Sequence, residues 1–394
     1  MGARRSSISG GDARPIAIEL FAGAGGLSLG FEQAGFRIAL AVENDAKTCG
    51  TYRHNHPTVD LVEEDVGKVD PRDCMERIGV ERESIAALIG GPPCQGFSES
   101  NRRTRTLDNP RNHYYVEFFR FLDAMRPLWF VLENVAGLRT LAGGLLLQNI
   151  LDRGRRAGYA VVVHELDATE FGVPQVRRRI FVVGCRCGVV LAPPLKTHGP
   201  GLRPFVTVRE AIGDLPRLKS GADTDLLPYP KKQLASEYQR AMRSPSEVVQ
   251  GNLVTRNSDE VLARYGWIRP GQNWEAIPDD LMDNYHDATR CHTGIYYRLR
   301  ADKPSKVIGN FRKNMLIHPS QNRGLSIREA ARLQSFPDRY RFLGSIGFQQ
   351  QQVADAVPPL LAEGVARALM EIIVKQGLRG KYGENRARCR SGTR

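Results

Sequence analysis

Ile85-Ala86-Ala87-Leu88-Ile89-Gly90-Gly91-Pro92-Pro93-Cys94-Gln95-Gly96-Phe97-Ser98 passes abruptly from an apolar run to a loop of glycine and proline. The run reads as a buried strand, and the loop stops it. Open α/β sheets place their chemistry at the carboxyl ends of strands, so the stretch predicts an α/β fold with Cys94 at its working edge. A lone cysteine beside a turn is ordinarily an inert, half-buried thiol. Here Pro92 and Pro93 fix the backbone before it, and Gly90 and Gly91 admit a close neighbour. The residues that follow carry Arg102, Arg103, Arg105 and Arg111 with few apolar anchors. A rigidly presented thiol beside a basic loop fits a nucleophile that acts on an anionic substrate.

Working outward, Pro15 to Phe21 reads as a strand that Ala22-Gly23-Ala24-Gly25-Gly26 turns into a helix beginning near Leu27. Such a unit serves nucleotide-type cofactors, because small residues let a ligand reach the backbone at a helix amino terminus. Ser28 stands where the third glycine of the dinucleotide fingerprint would fall, which argues against a pyrophosphate. A second strand, Ile38 to Val42, ends in Glu43, an acid about twenty residues after the glycines and suited to ribose hydroxyls. Asp65, after the apolar segment Val59 to Val62, suits an adenine amino group.

Beyond the cysteine loop, a helix is predicted over Tyr114 to Met125 and a strand over Leu128 to Leu132, leading into Glu133-Asn134-Val135. Strands that add outward in chain order would make the Cys94 and Glu133 strands neighbours. Val161 to Leu166 is a further strand, and in Gln175-Val176-Arg177-Arg178-Arg179 strand periodicity turns Gln175, Arg177 and Arg179 to one side. From about Cys185 to Arg290 prolines interrupt the apolar pattern, as in a separate, irregular domain. Ser326 opens a helix with a capping box, and the helix after Pro359 is apolar at Leu360, Leu361, Val365, Leu369 and Ile373, so it returns to the first domain. Cys185-x-Cys187 and Cys291-His292 have no zinc-knuckle spacing.

Pro93-Cys94-Gln95 with Phe97-Ser98 resembles the nucleophile loop of the DNA cytosine-5 methyltransferases, of the bacterial restriction-modification type. Phe21-Ala22-Gly23-x-Gly25-Gly26, Glu43 and Asp65 are similar to that family's S-adenosylmethionine pocket. Glu133-Asn134-Val135, Gln175-x-Arg177-x-Arg179 and Arg328-Glu329-x-Ala331-Arg332-Leu333-Gln334-x-Phe336-Pro337 match further motifs in the same order. The resemblance implies a mostly parallel, Rossmann-like methyltransferase domain at 15–186, completed by 345–377, and an irregular target-recognition domain at 187–344. It implies that Cys94 attacks C6 of a flipped cytosine, that Glu133 holds N3 and the amino group, and that Arg177 and Arg179 hold the ring carbonyl or phosphates. Cofactor contacts fall to Phe21, Gly23, Gly25, Gly26, Glu43, Asp65, Pro93 and Asp355. Ala354-Asp355 departs from the family's Gly-Asn, and a carboxylate there is expected to weaken cofactor binding by repulsion.

The whole chain agrees with this reading. Its 394 residues allow roughly two or three domains, and 56 Lys and Arg against 43 Asp and Glu, a net charge of +13, favour an anionic partner. Double-stranded DNA is the expected partner, with a cognate restriction endonuclease in the same system and a monomer as the default. Seven cysteines without framework spacing, no run of membrane-spanning length and no secretory apolar core argue for a cytoplasmic protein without structural disulfides. Residues 1–14 and 378–394 read as a flexible basic lead-in and a basic tail. Three rivals remain: an RNA cytosine methyltransferase of the same fold, a catalytically silent DNA-binding relative, and a nicotinamide dehydrogenase, which gives Cys94 and Glu133 no role.

Overall fold

Seven of the apolar runs become one sheet. In the computed structural model, which describes residues 12–93, 114–230, 236–243, 247–282, 295–309, 311, 315–378 and 382, the strands are β1 (Ile16–Leu20), β2 (Arg37–Glu43), β3 (Asp60–Glu63), β4 (Ala87–Gly90), β5 (Trp129–Val135), β6 (Ala160–Asp167) and β7 (Arg178–Cys185). Their order is β3-β2-β1-β4-β5-β7-β6. The first five are mutually parallel, and β7 lies antiparallel between β5 and β6.

Period-two alternation builds a core on each face. Ala17, Ile38, Trp129, Val131, Phe181 and Val183 face one way, toward Leu27 and Phe31 of α1 (Gly26–Gln33). Ile18, Leu40, Leu88, Phe130 and Leu132 face the other, where Phe118, Phe119 and Leu122 of a later helix pack against them. That helix is α4 (Tyr114–Met125), which follows α2 (Ala46–Asn55) and α3 (Pro71–Ile78) and precedes α5 (Leu145–Arg156).

As expected, β4 and β5 are neighbours, with Gly90 opposite Leu132. Beyond them chain order fails, because β7 intervenes before β6. Pairing with β7 also extends β5 through Glu133 and Asn134 to Val135, so Glu133 stands within a strand.

After β7 regular structure is sparse: α6 (Val208–Ile212), β8 (Leu227–Pro228), α7 (Glu237–Met242), β9 (Val248–Val249), α8 (Asp259–Trp267), α9 (Ile327–Leu333), α10 (Ile346–Asp355) and α11 (Pro359–Lys375). Ser326 and Glu329 form the expected capping box of α9. Arginines replace backbone partners here: Arg298 donates to the carbonyls of Tyr265, Ile268, His318 and Gln321, and Arg328 to those of Gln250, Pro337 and Tyr340. Ala24 and Leu29, from the glycine turn and α1, belong to this region's main core with Val208, Leu299, Leu333 and Phe336. α11 returns to the sheet, where Leu361, Val365, Leu369 and Ile373 are buried. No helix among the described residues is long and apolar enough to cross a membrane.

Candidate active site

The carboxyl ends of β1, β2 and β3 meet at one surface. Leu20 ends β1, and Phe21 follows in a left-handed backbone conformation, φ 58°, which is costly for an aromatic residue and persists only where its surroundings impose it. Gly23 has φ 54°, and a side chain placed there would enter open space. Its N–H donates to Glu43 Oε2 at 2.8 Å, while Glu43 Oε1 accepts from the N–H groups of Asn44 and Asp45, both at 2.9 Å. Asp65 Oδ1 accepts from Gly67 N–H at 2.8 Å, and Tyr114 extends its hydroxyl toward Asp65 Oδ2 at 3.4 Å. Tyr114 also packs edge-on against Phe21, ring centroids 5.7 Å apart. An open turn, two carboxylates and two aromatic rings fit a nucleoside-bearing cofactor. Sequence reasoning reached Phe21, Gly23, Glu43 and Asp65 but saw Tyr114 only as the start of a helix.

Gly25 and Gly26 answer to what lies behind the turn. A Cβ at Gly25, φ 84°, would stand 2.5 Å from His56 Nε2 and 2.6 Å from the Tyr340 hydroxyl, and one at Gly26 would stand 2.2 Å from the Val357 carbonyl oxygen. Ser28, the departure from the dinucleotide pattern, also has a local cause. Its hydroxyl bonds to the carboxyl of Glu19, which is buried in the middle of β1, and to the Tyr52 hydroxyl at 2.7 Å. Desolvation pushes the Glu19 carboxyl well above the usual range. A glycine at position 28 would leave this acid without the serine hydroxyl. The apolar appearance of β1 hid that relation.

At the neighbouring strand ends, the main chain passes from β4 through Gly91, where a Cβ would lie 2.9 Å from Glu133 Oε2, to Pro92 and Pro93. Asn134 Nδ2 donates to the Pro92 carbonyl at 3.1 Å. Cys94 and the arginines at 102, 103, 105 and 111 lie outside the described residues, as do Cys291 and His292. Glu133 is buried, and Arg179 Nε meets its Oε1 at 3.0 Å. Desolvation raises the Glu133 carboxyl, with the charges of Arg179 and Arg177 opposing the shift. The carboxyl therefore takes a proton more readily than a solvated one, while Arg179 fixes its direction.

Gln175 and Arg177 do face the same way as Arg179, as periodicity predicts, but they are spent on main chain. Gln175 donates to the Leu333 carbonyl at 3.2 Å and accepts from Ile308 N–H at 2.9 Å. Arg177, 2% exposed, donates to the carbonyls of Ile308, Ala354 and Ala356 at 3.1, 2.8 and 3.3 Å. Its grip on Ala354 and Ala356 brackets Asp355, whose Oδ2 accepts from Gln351 at 2.7 Å and which lies within electrostatic reach of Arg177 and Arg179. The acid at this unusual position thus has cations near it to offset its charge. Cys185 and Cys187, with Sγ atoms 2.7 Å apart, sit at the other end of β7, and no group of three or more His, Cys, Asp or Glu among the described residues is placed to hold a metal ion.

Comparison with known proteins gives the family. The Type II methyltransferase M.AgeI of Thalassovita gelatinovora is 34% identical over 89% of this chain and 98% of its own length. M1.HphI of Haemophilus parahaemolyticus, also a Type II methyltransferase, is 37% identical over 90% of this chain and 86% of its own. A solved structure described as a DNA modification methyltransferase encoded within an Escherichia coli prophage superposes with a TM-score of 0.74 at 25% identity, covering 91% of this chain and 99% of that one. The model of the C-5 cytosine-specific DNA methylases matches residues 16–371, and the chain belongs to that family, as a DNA (cytosine-5-)-methyltransferase.

Proposed function

We propose that the protein transfers a methyl group from S-adenosylmethionine to C5 of a cytosine flipped out of a specific sequence in double-stranded DNA, through a covalent bond between Cys94 and C6. The observation that carries this reading is the buried Glu133 carboxyl, held by Arg179 one strand from the β4 loop that leads through Pro92 and Pro93 to Cys94. When bound, S-adenosylmethionine supplies a methyl group on a sulfonium, an electrophile.

The residues of the chain do the rest. Phe21 packs on the adenine, Glu43 takes the ribose hydroxyls and Asp65 the adenine edge, while Gly23 leaves the space a ligand needs. Pro93 and Asp355 are assigned to the same pocket by their place in the family's motifs, whereas Gly25 and Gly26 shape the turn through packing behind it. The thiolate of Cys94 adds at C6, and the ring electrons move toward N3, where the proton held by Glu133 meets them. C5 becomes nucleophilic as a result. Arg179 orients Glu133 and reaches the ring carbonyl, and Arg177 holds that wall of the pocket by its carbonyl contacts. Loss of the C5 proton to solvent then breaks the C6–S bond and frees Cys94 as a thiolate, and the N3 proton returns to Glu133. A stacked base cannot enter this geometry, so the target leaves the duplex at a cost of a few kcal/mol.

In this reading 15–186 and 345–377 carry cofactor and chemistry, and 187–344 reads the target, with phosphate contacts making binding strongly salt-dependent. The protein acts as a monomer in the cytoplasm, paired with a restriction endonuclease of the same specificity. The test is transfer of labelled methyl groups to mixed-sequence duplex DNA, with Cys94→Ser alongside and 5-fluorocytosine in a parallel substrate. Transfer by the native chain, background levels from the variant and a stable adduct on the fluorinated DNA are expected. Transfer to RNA alone would overturn the duplex assignment, and full activity in Cys94→Ser would overturn the mechanism.

A further inference from the structure

Behind the glycine turn, on the side away from the open space at Gly23, lies a buried polar chain that the reaction does not use. Tyr340, 1% exposed, donates its hydroxyl to the carbonyl oxygen of Ala24. A carbonyl cannot return a proton, so the phenol oxygen accepts from its other neighbour, His56 Nε2, at 3.0 Å. That fixes a proton on Nε2. His56 Nδ1 faces Glu32 Oε2 of α1 at 3.0 Å, and the His56 ring stacks on Tyr52 with centroids 4.6 Å apart. Gly25 has no room for a side chain because His56 and Tyr340 press against it.

The segment carrying Tyr340 is gripped from both sides. From α2, the Asn55 amide donates to the Arg341 carbonyl at 2.7 Å and accepts from Arg341 N–H at 2.9 Å, and Thr51 Oγ1 accepts from Leu343 N–H at 2.9 Å. From α9, Arg328 donates to the carbonyls of Pro337 and Tyr340 at 3.1 and 2.6 Å. α2 begins three residues after Glu43, so one helix connects the ribose acid with the segment behind the turn.

We propose that Tyr340 is a positioning residue for the cofactor: oriented by His56, it holds the Ala24 carbonyl and so the shape of the glycine turn that faces S-adenosylmethionine. The inference rests on the proposed reading of that turn as the cofactor's seat. Loss of the hydroxyl removes one neutral hydrogen bond from the turn and leaves the ring packing against Phe336 and Phe342 intact.

The test is calorimetric titration of the full chain with S-adenosylmethionine, joined to hydrogen exchange of the amides at 22–26 in cofactor-free protein. Tyr340→Phe should weaken binding about fivefold and speed exchange in the turn. The KM for the cofactor should rise by the same factor, with turnover at saturating cofactor and affinity for DNA within about twofold of native. His56→Leu should match it, the double variant should lose no more than either single one, and His56→Gln, which can still donate to the phenol, should restore most of the affinity. Native cofactor affinity and native exchange in Tyr340→Phe would overturn the proposal. So would a lowered melting temperature with KM unchanged, the mark of a merely structural role. If the native chain itself binds no S-adenosylmethionine, the reading of the pocket fails and the inference with it, an outcome visible before any variant is made.

Discussion

The sheet and the region between β7 and α10 bury charge in contrasting ways. In β1 the buried Glu19 is accommodated by an upward shift of its carboxyl and by the Ser28 hydroxyl, with no cation among the described residues bonded to it. In the later region, acids and arginines are buried together. Arg332, 0% exposed, meets Asp338 with Nε and Nη2 at 2.6 Å each, Asp214 at 3.0 and 3.2 Å, and the Ala211 carbonyl at 2.9 Å. Arg323 grips both oxygens of Glu329 at 2.8 and 2.7 Å. A strand satisfies its backbone through its neighbours, whereas a chain with little regular structure needs side chains to reach its buried carbonyls, and arginine brings five donors in one plane. The carboxylates then offset the charge that those donors bring. One half is held by apolar area, the other by a paired ionic lattice around a smaller core.

The largest expected effect follows from that lattice. Arg332→Met keeps much of the volume but leaves Asp214 and Asp338 buried without their shared partner. The cost is about 3–5 kcal/mol, read as a lowered melting temperature or loss of soluble protein. Asp338 sharpens the point: burial would raise its carboxyl, yet Arg332 and Arg328 hold it below the usual range. A loss under about 1 kcal/mol would break the comparison and return this region to ordinary hydrophobic control.

The matching change on the other side is Leu369→Ala in α11, a fully buried apolar side chain in the core formed with α1 and the sheet. Transfer and cavity terms together predict a loss of roughly 3 kcal/mol by chemical denaturation. The two changes should also differ in their response to pH. The Arg332 lattice depends on ionised carboxylates and weakens in acid, while the Leu369 contact carries no proton. A pH-independent difference between the variants would count against the ionic account.

The contrast also explains what could be read before the fold was known. Short apolar runs marked β1, β2, β4, β5 and β6, and Ser326 with Glu329 marked the start of α9, because these signals are local. Glu133 could be placed near the cysteine loop because parallel neighbours follow from chain order. The direction of β7 could not be read, since an apolar run is the same in either sense, and with it went the extension of β5 through Glu133 to Val135. Arg177 looked like an equal of Arg179, but its role is set by the carbonyls of Ile308, Ala354 and Ala356, far along the chain. Tyr340 reaching Ala24 is a relation of the same kind. Pairings that join regular elements to irregular ones leave little local pattern.

The smallest expected effect probes the sheet's one buried acid in β1. Desolvation raises the Glu19 carboxyl in the folded protein, with nearby Glu32 and Glu43 adding to the shift and Ser28 opposing it. The folded state therefore binds this proton more tightly than the unfolded one. Its contribution is complete below the unfolded value, about 4.5, and declines as pH rises through the folded value, by at most about 1.4 kcal/mol per pH unit. Glu19→Gln keeps an acceptor for Ser28 and removes the titration. Near pH 5 the two proteins should differ by less than about 1 kcal/mol, and the native chain should then lose stability on the alkaline side faster than the variant. Parallel pH profiles would mean that Glu19 is ionised in the fold, as Asp338 is, and would remove this side of the contrast.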